Sequence, residues 1–295
     1  MSDYAQGILI LVCINLIAVL GICVLTGWTR LLSFGNAGFM SIGAYASALL
    51  TTKLGIPFIP AAFAGALAAA AVSFLLGSLT LKLKGDYFLI TTLGFGESIR
   101  VLFEYIRPVT GGAQGLSGIP RYTTTLVACI SALAALVLTV NFLYSRFGRS
   151  LEAVREEELA AAAAGINVPR YKKTAFVISA VFAGWAGALY AHNMMFLVPV
   201  MFNLPKSAEL TITVVIGGMA SVTGSVLGAL VVTLLPEFLR DLSNYRMFFY
   251  GTAVVLIIML RPSGLLGYTE FSPRKAARYL SDFIARKKAE TARRQ

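Results

Sequence analysis

Apolar runs long enough to cross a bilayer recur along the whole chain, each separated from the next by a polar stretch. A helix of about 20 residues covers the roughly 30 Å hydrocarbon core, and only helices or closed barrels satisfy their backbone groups there. Ile8–Leu25, Pro57–Leu81, Tyr122–Tyr144 and Thr174–His192 have that length. Leu31–Leu50, Asp86–Ile106, Leu210–Leu235 and Met247–Leu260 are also apolar, but shorter or interrupted by glycine or charge. Leu210–Leu235 carries Gly217, Gly218, Ser221, Thr223 and Gly224 and reads as two short helices forming a hairpin. The expectation is an all-α polytopic membrane protein with roughly nine membrane segments, two of the apolar runs being glycine-broken. Composition decides only the class: 13% charged residues is about half of the roughly 25% found in soluble domains, too few to coat a globule.

Basic residues set the orientation, because loops on the cytoplasmic side of a membrane are rich in Lys and Arg. With the N-terminus outside, inside positions hold eighteen of the 25 basic residues and outside positions six, while Arg100 lies within a span. No Lys or Arg precedes Ile8–Leu25, so that run lacks the charged start of a signal peptide and reads as a true span. The net charge of +11 does not point to nucleic acid, since the basic residues lie in loops between apolar runs. Residues 1–267 form the membrane domain and residues 268–295 a basic cytoplasmic tail. Tyr279, Leu280, Phe283 and Ile284 give the tail an apolar stripe, which fits either a helix on anionic lipid or a disordered end.

Inside the membrane domain, residues 145–173 are the one long polar segment, with six basic residues and room for a helix of its own. Ser150 is placed to cap it, Glu152 to meet the positive end of the helix dipole, and Ala160–Ala164 to propagate it. Gly165 suits the position past a helix end, and Pro169 stops continuation into the next span. From these residues alone, an amphipathic connector lying on the bilayer is the plainer reading, with a docking helix as the alternative.

Gly148–Arg149, Ala153, Arg155–Glu156, Glu158, Gly165–Val168 and Ala175–Ile178 resemble the cytoplasmic coupling loop of branched-chain amino acid ABC importer permeases of the LivM type. The resemblance continues through Leu32–Leu50, Gly85–Arg100, Thr110–Leu116, Val214–Ala229 and Leu260–Gly267. It departs at Asn36, where His is common, at Ala162, where Glu is common, and at Ala220 and Ser225, where Gly and Pro are usual. What the resemblance implies is an ATPase-coupling site formed by Arg149, Glu152, Arg155, Glu156, Glu157, Glu158 and Gly165. It also implies two ATP-binding subunits, a second, LivH-like permease subunit and an extracytoplasmic solute-binding protein as partners, in a bacterial inner membrane.

A solute path is expected where glycine-broken segments expose backbone polar groups. Asn36, Ser41, Ser221 and Thr223 supply polar atoms in those segments, and helix packing through small residues is the competing explanation. Glu97 and Arg100 are ionisable residues within a span, spaced i, i+3, which fits a mutually neutralising pair or a solute contact. No P-loop pattern occurs, His192 has no H-E-x-x-H companion, and no nucleophile–base pair is visible. The chain is therefore expected to be no enzyme, to hold no metal or cofactor, and to take its energy from elsewhere. Cys13 and Cys23 lie about 15 Å apart along one helix and, with Cys129, read as buried hydrophobes. The alternative to an ATP-driven importer is an ion-gradient-driven transporter of a small polar solute, with a non-transporting membrane scaffold a third reading.

Overall fold

The computed structural model describes residues 3–83, 85–238 and, beyond them, 251–252, 255–256, 259–260, 264–265 and 267. The expected crossing Met247–Leu260 therefore lies largely outside the described residues, and the basic tail 268–295 entirely so. The long helices are α1 (Asp3–Ile22), α2 (Asn36–Lys53), α3 (Phe58–Thr80), α4 (Asp86–Tyr105), α6 (Thr125–Tyr144) and α9 (Val168–Met194). A short α5 (Arg107–Thr110) follows α4, and α7 (Arg146–Glu156) and α8 (Glu158–Ala163) lie between α6 and α9. The last pair is α10 (Leu204–Gly217) and α11 (Val222–Phe238). Four stretches, Tyr4–Gly27, Phe58–Thr80, Thr125–Tyr144 and Val168–Met194, are long and apolar enough to cross a membrane.

Helix α9 is the axis of the bundle, with α2, α3 and α1 packed along it. Small residues allow this, because interfaces between membrane helices rest on close backbone approach. A Cβ on Gly43 of α2 would lie 2.2 Å from the carbonyl oxygen of Gly184 in α9, and one on Gly65 of α3 only 2.6 Å from that of Gly43. One turn further on, a Cβ on Gly187 would lie 1.9 Å from the carbonyl oxygen of Met40. Gly38 and Gly43 thus do not interrupt the run Leu31–Leu50, contrary to the sequence reading. They sit inside the unbroken α2, and the break is the irregular stretch of residues 30–35 before it. Glycine in a helix whose backbone bonds are all made serves contact, not interruption.

The second broken run behaves as expected. Helices α10 and α11 pack against each other around a turn at residues 218–221, where Gly218 has φ +121° and Gly217 and Gly224 meet backbone to backbone. Where this turn presses on α1, the latter widens into a π-helical stretch, Cys23–Gly27, and a Cβ on Gly27 would fall 1.9 Å from the carbonyl oxygen of Met219. At the end of the bundle away from α7 and α8, two-residue strands β1 (Leu116–Ser117) and β2 (Phe196–Leu197) pair antiparallel and tie the glycine-rich loop to the end of α9. His192, near the end of α9, is buried there, bonded to the Ala188 carbonyl at 2.8 Å and Thr51 Oγ1 at 3.0 Å.

Candidate functional site

The polar segment folds as two helices rather than one. Ser145, not Ser150, caps α7: its hydroxyl accepts from the amides of Phe147 and Gly148, while the Ser150 hydroxyl donates to the Arg146 carbonyl within the helix. The turn out of α6 is tight, so that a Cβ on Gly148 would lie 2.0 Å from the Leu143 carbonyl oxygen. Gly148, Leu151 and Val154 form the buried face of α7, and Phe147 stacks on Tyr171 of α9 at 4.4 Å. The helix stops at Glu157, whose backbone is extended (φ −154°, ψ 113°) and whose carboxylate accepts from the Leu159 amide to start α8. Six residues of α8 end at Gly165, φ +84°, with the Ile166 amide reaching back to the Ala161 carbonyl at 3.0 Å, a six-to-one closure that needs a left-handed residue. Asn167 then caps α9, and Pro169 occupies its first turn, where a missing N–H does no harm. Arg170, Lys172 and Lys173 consequently lie inside α9, which begins six residues earlier than the expected Thr174.

All seven expected coupling residues fall on this segment, and ion pairs order several of them. Arg149 donates to the Tyr144 carbonyl at 3.1 Å, and Arg155 pairs with Glu156 at 2.7 Å and more loosely with Glu152 at 3.9 Å. The Arg155 hydrogen bond, reinforced by its charge and by Arg30, holds the Glu156 carboxyl below the ordinary carboxylate range. Lys172 pairs with Glu158, and Lys173 lies over the Phe74 ring, 3.4 Å from its centre. These contacts stabilise the basic residues at a helix start, where the dipole alone would disfavour them. Leu159 projects from α8 with 80% of its surface exposed, beside Glu156, Glu157 and Glu158. The sequence reading passed over Leu159, and its only signal is an apolar residue next to three acids. Behind the segment, a cavity of about 610 Å³ is walled by Val154, Glu156 and Glu158, by Arg30 after α1, Lys82 after α3 and Lys172 of α9. The polar segment therefore packs against α6 and α9 and faces the ends of α1 and α3 across this cavity.

A second polar assembly lies deep in the bundle, where residues 31–35 run without helix. The Phe34 amide donates to Thr92 Oγ1 at 3.2 Å, Thr211 Oγ1 donates to the Ser33 carbonyl at 3.1 Å, and the Ala37 amide to Ser207 Oγ at 2.9 Å. Asn36 donates to the Ser33 carbonyl at 2.9 Å and accepts from Ser179 at 3.4 Å. Ser179 is eleven residues into α9, about 16 Å along it, so this irregular backbone is held at mid-depth by side chains, as it must be away from water. Ser41 donates to the Gly38 carbonyl within α2, and Ser221, hydrogen-bonded to Thr223, accepts from the Gly224 amide to start α11. Asn36, Ser41 and Ser221 are buried, and these bonds brace backbone. Ser33, Thr92, Ser179, Ser207 and Thr211 were not singled out in the sequence. Ser207 and Thr211 lie one turn apart on α10, but the others come from separate segments, so no spacing links the set.

Glu97 and Arg100 do pair, at 2.7 Å, and Arg100 also holds Glu104. Glu97 has a further partner, the amide of Leu204 at the start of α10, 2.9 Å away. Nearby, Lys206 Nζ reaches Asn15 Oδ1 and Glu209, each at 3.2 Å. The two expected groups of residues are thus well separated: one on the polar segment, the other divided among α2, α4 and the α10–α11 turn.

The family described as "branched-chain amino acid transport system / permease component" matches residues 4–260. The chain is 37% identical over 290 residues to the high-affinity branched-chain amino acid transport system permease protein LivM of Escherichia coli (strain K12), covering 87% of this chain and 68% of that protein. LivM of Salmonella typhimurium is 36% identical over the same shares. The high-affinity branched-chain amino acid transport system permease protein LivH of Escherichia coli (strain K12) is 28% identical over 165 residues, 55% of this chain and 53% of that one. No solved structure matches the chain.

Proposed function

Because this chain belongs to the branched-chain amino acid transport permease family, we propose that it is the membrane subunit of an ATP-driven importer that moves branched-chain or related amino acids into the cytoplasm by alternating access. The observation that carries the reading is the α7–α8 segment. Its acidic edge and exposed Leu159 offer a compact tip to a partner, and its inner side packs on α6 and α9 and faces the ends of α1 and α3 across the cavity. A push on the tip therefore reaches the bundle directly. Arg149, Glu152, Arg155, Glu156, Glu157, Glu158 and Gly165 form and orient this tip, and two ATP-binding subunits are the partners that push it. A second, LivH-like permease and an extracytoplasmic binding protein complete the complex.

The same end of the bundle supports the orientation. Arg146, Arg149, Arg155, Arg170 and Lys172 lie on the polar segment and Arg30 and Lys82 line the cavity beside it, which supports a cytoplasmic placement and an external N-terminus, with roughly nine membrane segments in all. Asn36, Ser41, Ser221 and Thr223 shape the path by bracing its backbone, and Glu97 and Arg100 sit at its edge. The ion-gradient alternative has little to work with, since these two ionisable groups are engaged with one another and with α10.

Labelled leucine uptake by cells carrying the complete complex tests the reading, with the proton gradient collapsed and ATP maintained. Uptake should persist, and Leu159→Asp combined with Glu156→Lys should abolish it while leaving the chain inserted. Uptake that stops with the gradient, or survives the double substitution, overturns the proposal.

A further inference from the structure

Different faces of the bundle are built for different surroundings. Helices α3 and α6 contain no charged residue, and Phe63, Leu67, Leu75, Ile130, Leu133 and Leu138 are exposed along them. That is a surface for acyl chains. Helix α4 is equally long and equally peripheral, but its outer face is not of this kind. Along its exposed stripe lie Tyr87, Ile90, Gly94, Ser98, Leu102 and Tyr105, spaced by three or four residues. At the edge of the stripe run Glu97, Arg100 and Glu104, with side chains 32%, 24% and 26% exposed. Ionisable groups at this depth face protein or water rather than lipid. Two carboxylates around one guanidinium leave a net negative charge, which a basic or hydroxyl side chain from outside would complement.

Gly94 gives an independent indication. The mid-helix glycines at positions 38, 43, 65, 184 and 187 each meet a neighbour within this chain, whereas a Cβ on Gly94, like one on Gly7 near the start of α1, would meet nothing within 4 Å. Its lack of a side chain serves no packing inside the described fold. Beside it, Glu97, Ser98, Val101, Leu102 and Tyr105 line a shallow groove of about 520 Å³.

We propose that this face of α4, centred on Gly94 and Ser98 with the Glu97–Arg100–Glu104 triad along its edge, is the seam at which the second permease subunit packs. The proposal rests on the importer reading above. A second permease that resembles this chain, as the LivH relatives do, would bring a similar helix to the seam in a near-twofold arrangement. Its hydroxyl or basic side chains would complement the triad's residual negative charge, and close approach at Gly94 would bring them within reach.

The test is co-purification of the tagged full chain with the LivH-type permease expressed beside it, in mild detergent. Gly94→Leu and Ser98→Trp should lower recovery of the partner at least tenfold, whereas Leu67→Trp on α3 should not. The same variants, expressed without the partner, should unfold at the wild-type temperature. Undiminished recovery overturns the proposal. So does a lowered unfolding temperature in the lone chain, which would assign the face to a segment of this chain, residues 247–260 among them. Loss of a differently tagged second copy, in place of the partner, would overturn it in favour of self-association. If the wild-type chain recovers no second permease at all, the importer reading fails, and the seam with it.

Discussion

Glu97 illustrates what a single charge needs at membrane depth. Its carboxylate accepts from the guanidinium of Arg100 on the same helix and from the Leu204 amide that begins α10. The second bond places an anion at the positive end of a helix dipole, joining α4 to the hairpin across 107 residues of sequence. Glu97→Gln keeps the size but removes the charge from both bonds. With a side chain 32% exposed, the loss should be about 1–2 kcal/mol, the lower part of the range for charged hydrogen bonds. Thermal unfolding in detergent should show the lowered midpoint, and uptake by assembled complexes should keep its ranking of leucine, isoleucine and valine. A changed ranking with an unchanged midpoint would make Glu97 a solute contact. The i, i+3 pairing with Arg100 was legible in the sequence, because helix geometry alone dictates it. The Leu204 amide was not, because only the packing of α10 against α4 supplies it.

Among the elements, α2 and α9 depend most on what their residues lack. The Gly43–Gly184 contact leaves no room for a methyl group, as the 2.2 Å separation from a hypothetical Cβ shows. Gly43→Val should push the helices apart and destabilise the fold by about 1–3 kcal/mol, the usual penalty for overpacking. Loss of the folded fraction at a lower denaturant concentration would register it, with Gly94→Ala on the open face of α4 as a neutral comparison. The polar segment shows the opposite dependence, on residues that interrupt. The acidic and alanine-rich composition of residues 152–164 favours helix throughout, yet Glu157 breaks it. The cause is tertiary: α7 ends once Leu151 and Val154 have been buried, and α8 turns away so that Ala161 can be buried in its turn.

Over the whole molecule, the least expected neighbours are two cysteines. Cys13 of α1 and Cys129 of α6 bring their sulfurs to 3.7 Å, although 116 residues separate them. Copper–phenanthroline oxidation should join them, and a chain then cut within Thr110–Pro120 should run as one band until reductant is added. Fragments that separate without reductant would contradict the packing of α1 on α6. The sequence by itself determined the class, the spanning runs, the hairpin at Gly217–Gly224 and the location of the polar segment. Those properties follow from hydropathy and local backbone preference, which are written residue by residue. Only the tertiary structure decided that Asn36, Ser33, Ser179, Ser207 and Thr211 brace one irregular stretch, and that α4 carries charge beside its outer face where α3 and α6 carry none. Contacts between distant segments depend on how helices cross, and crossing is set by the shapes of the whole set of packed faces rather than by any one of them.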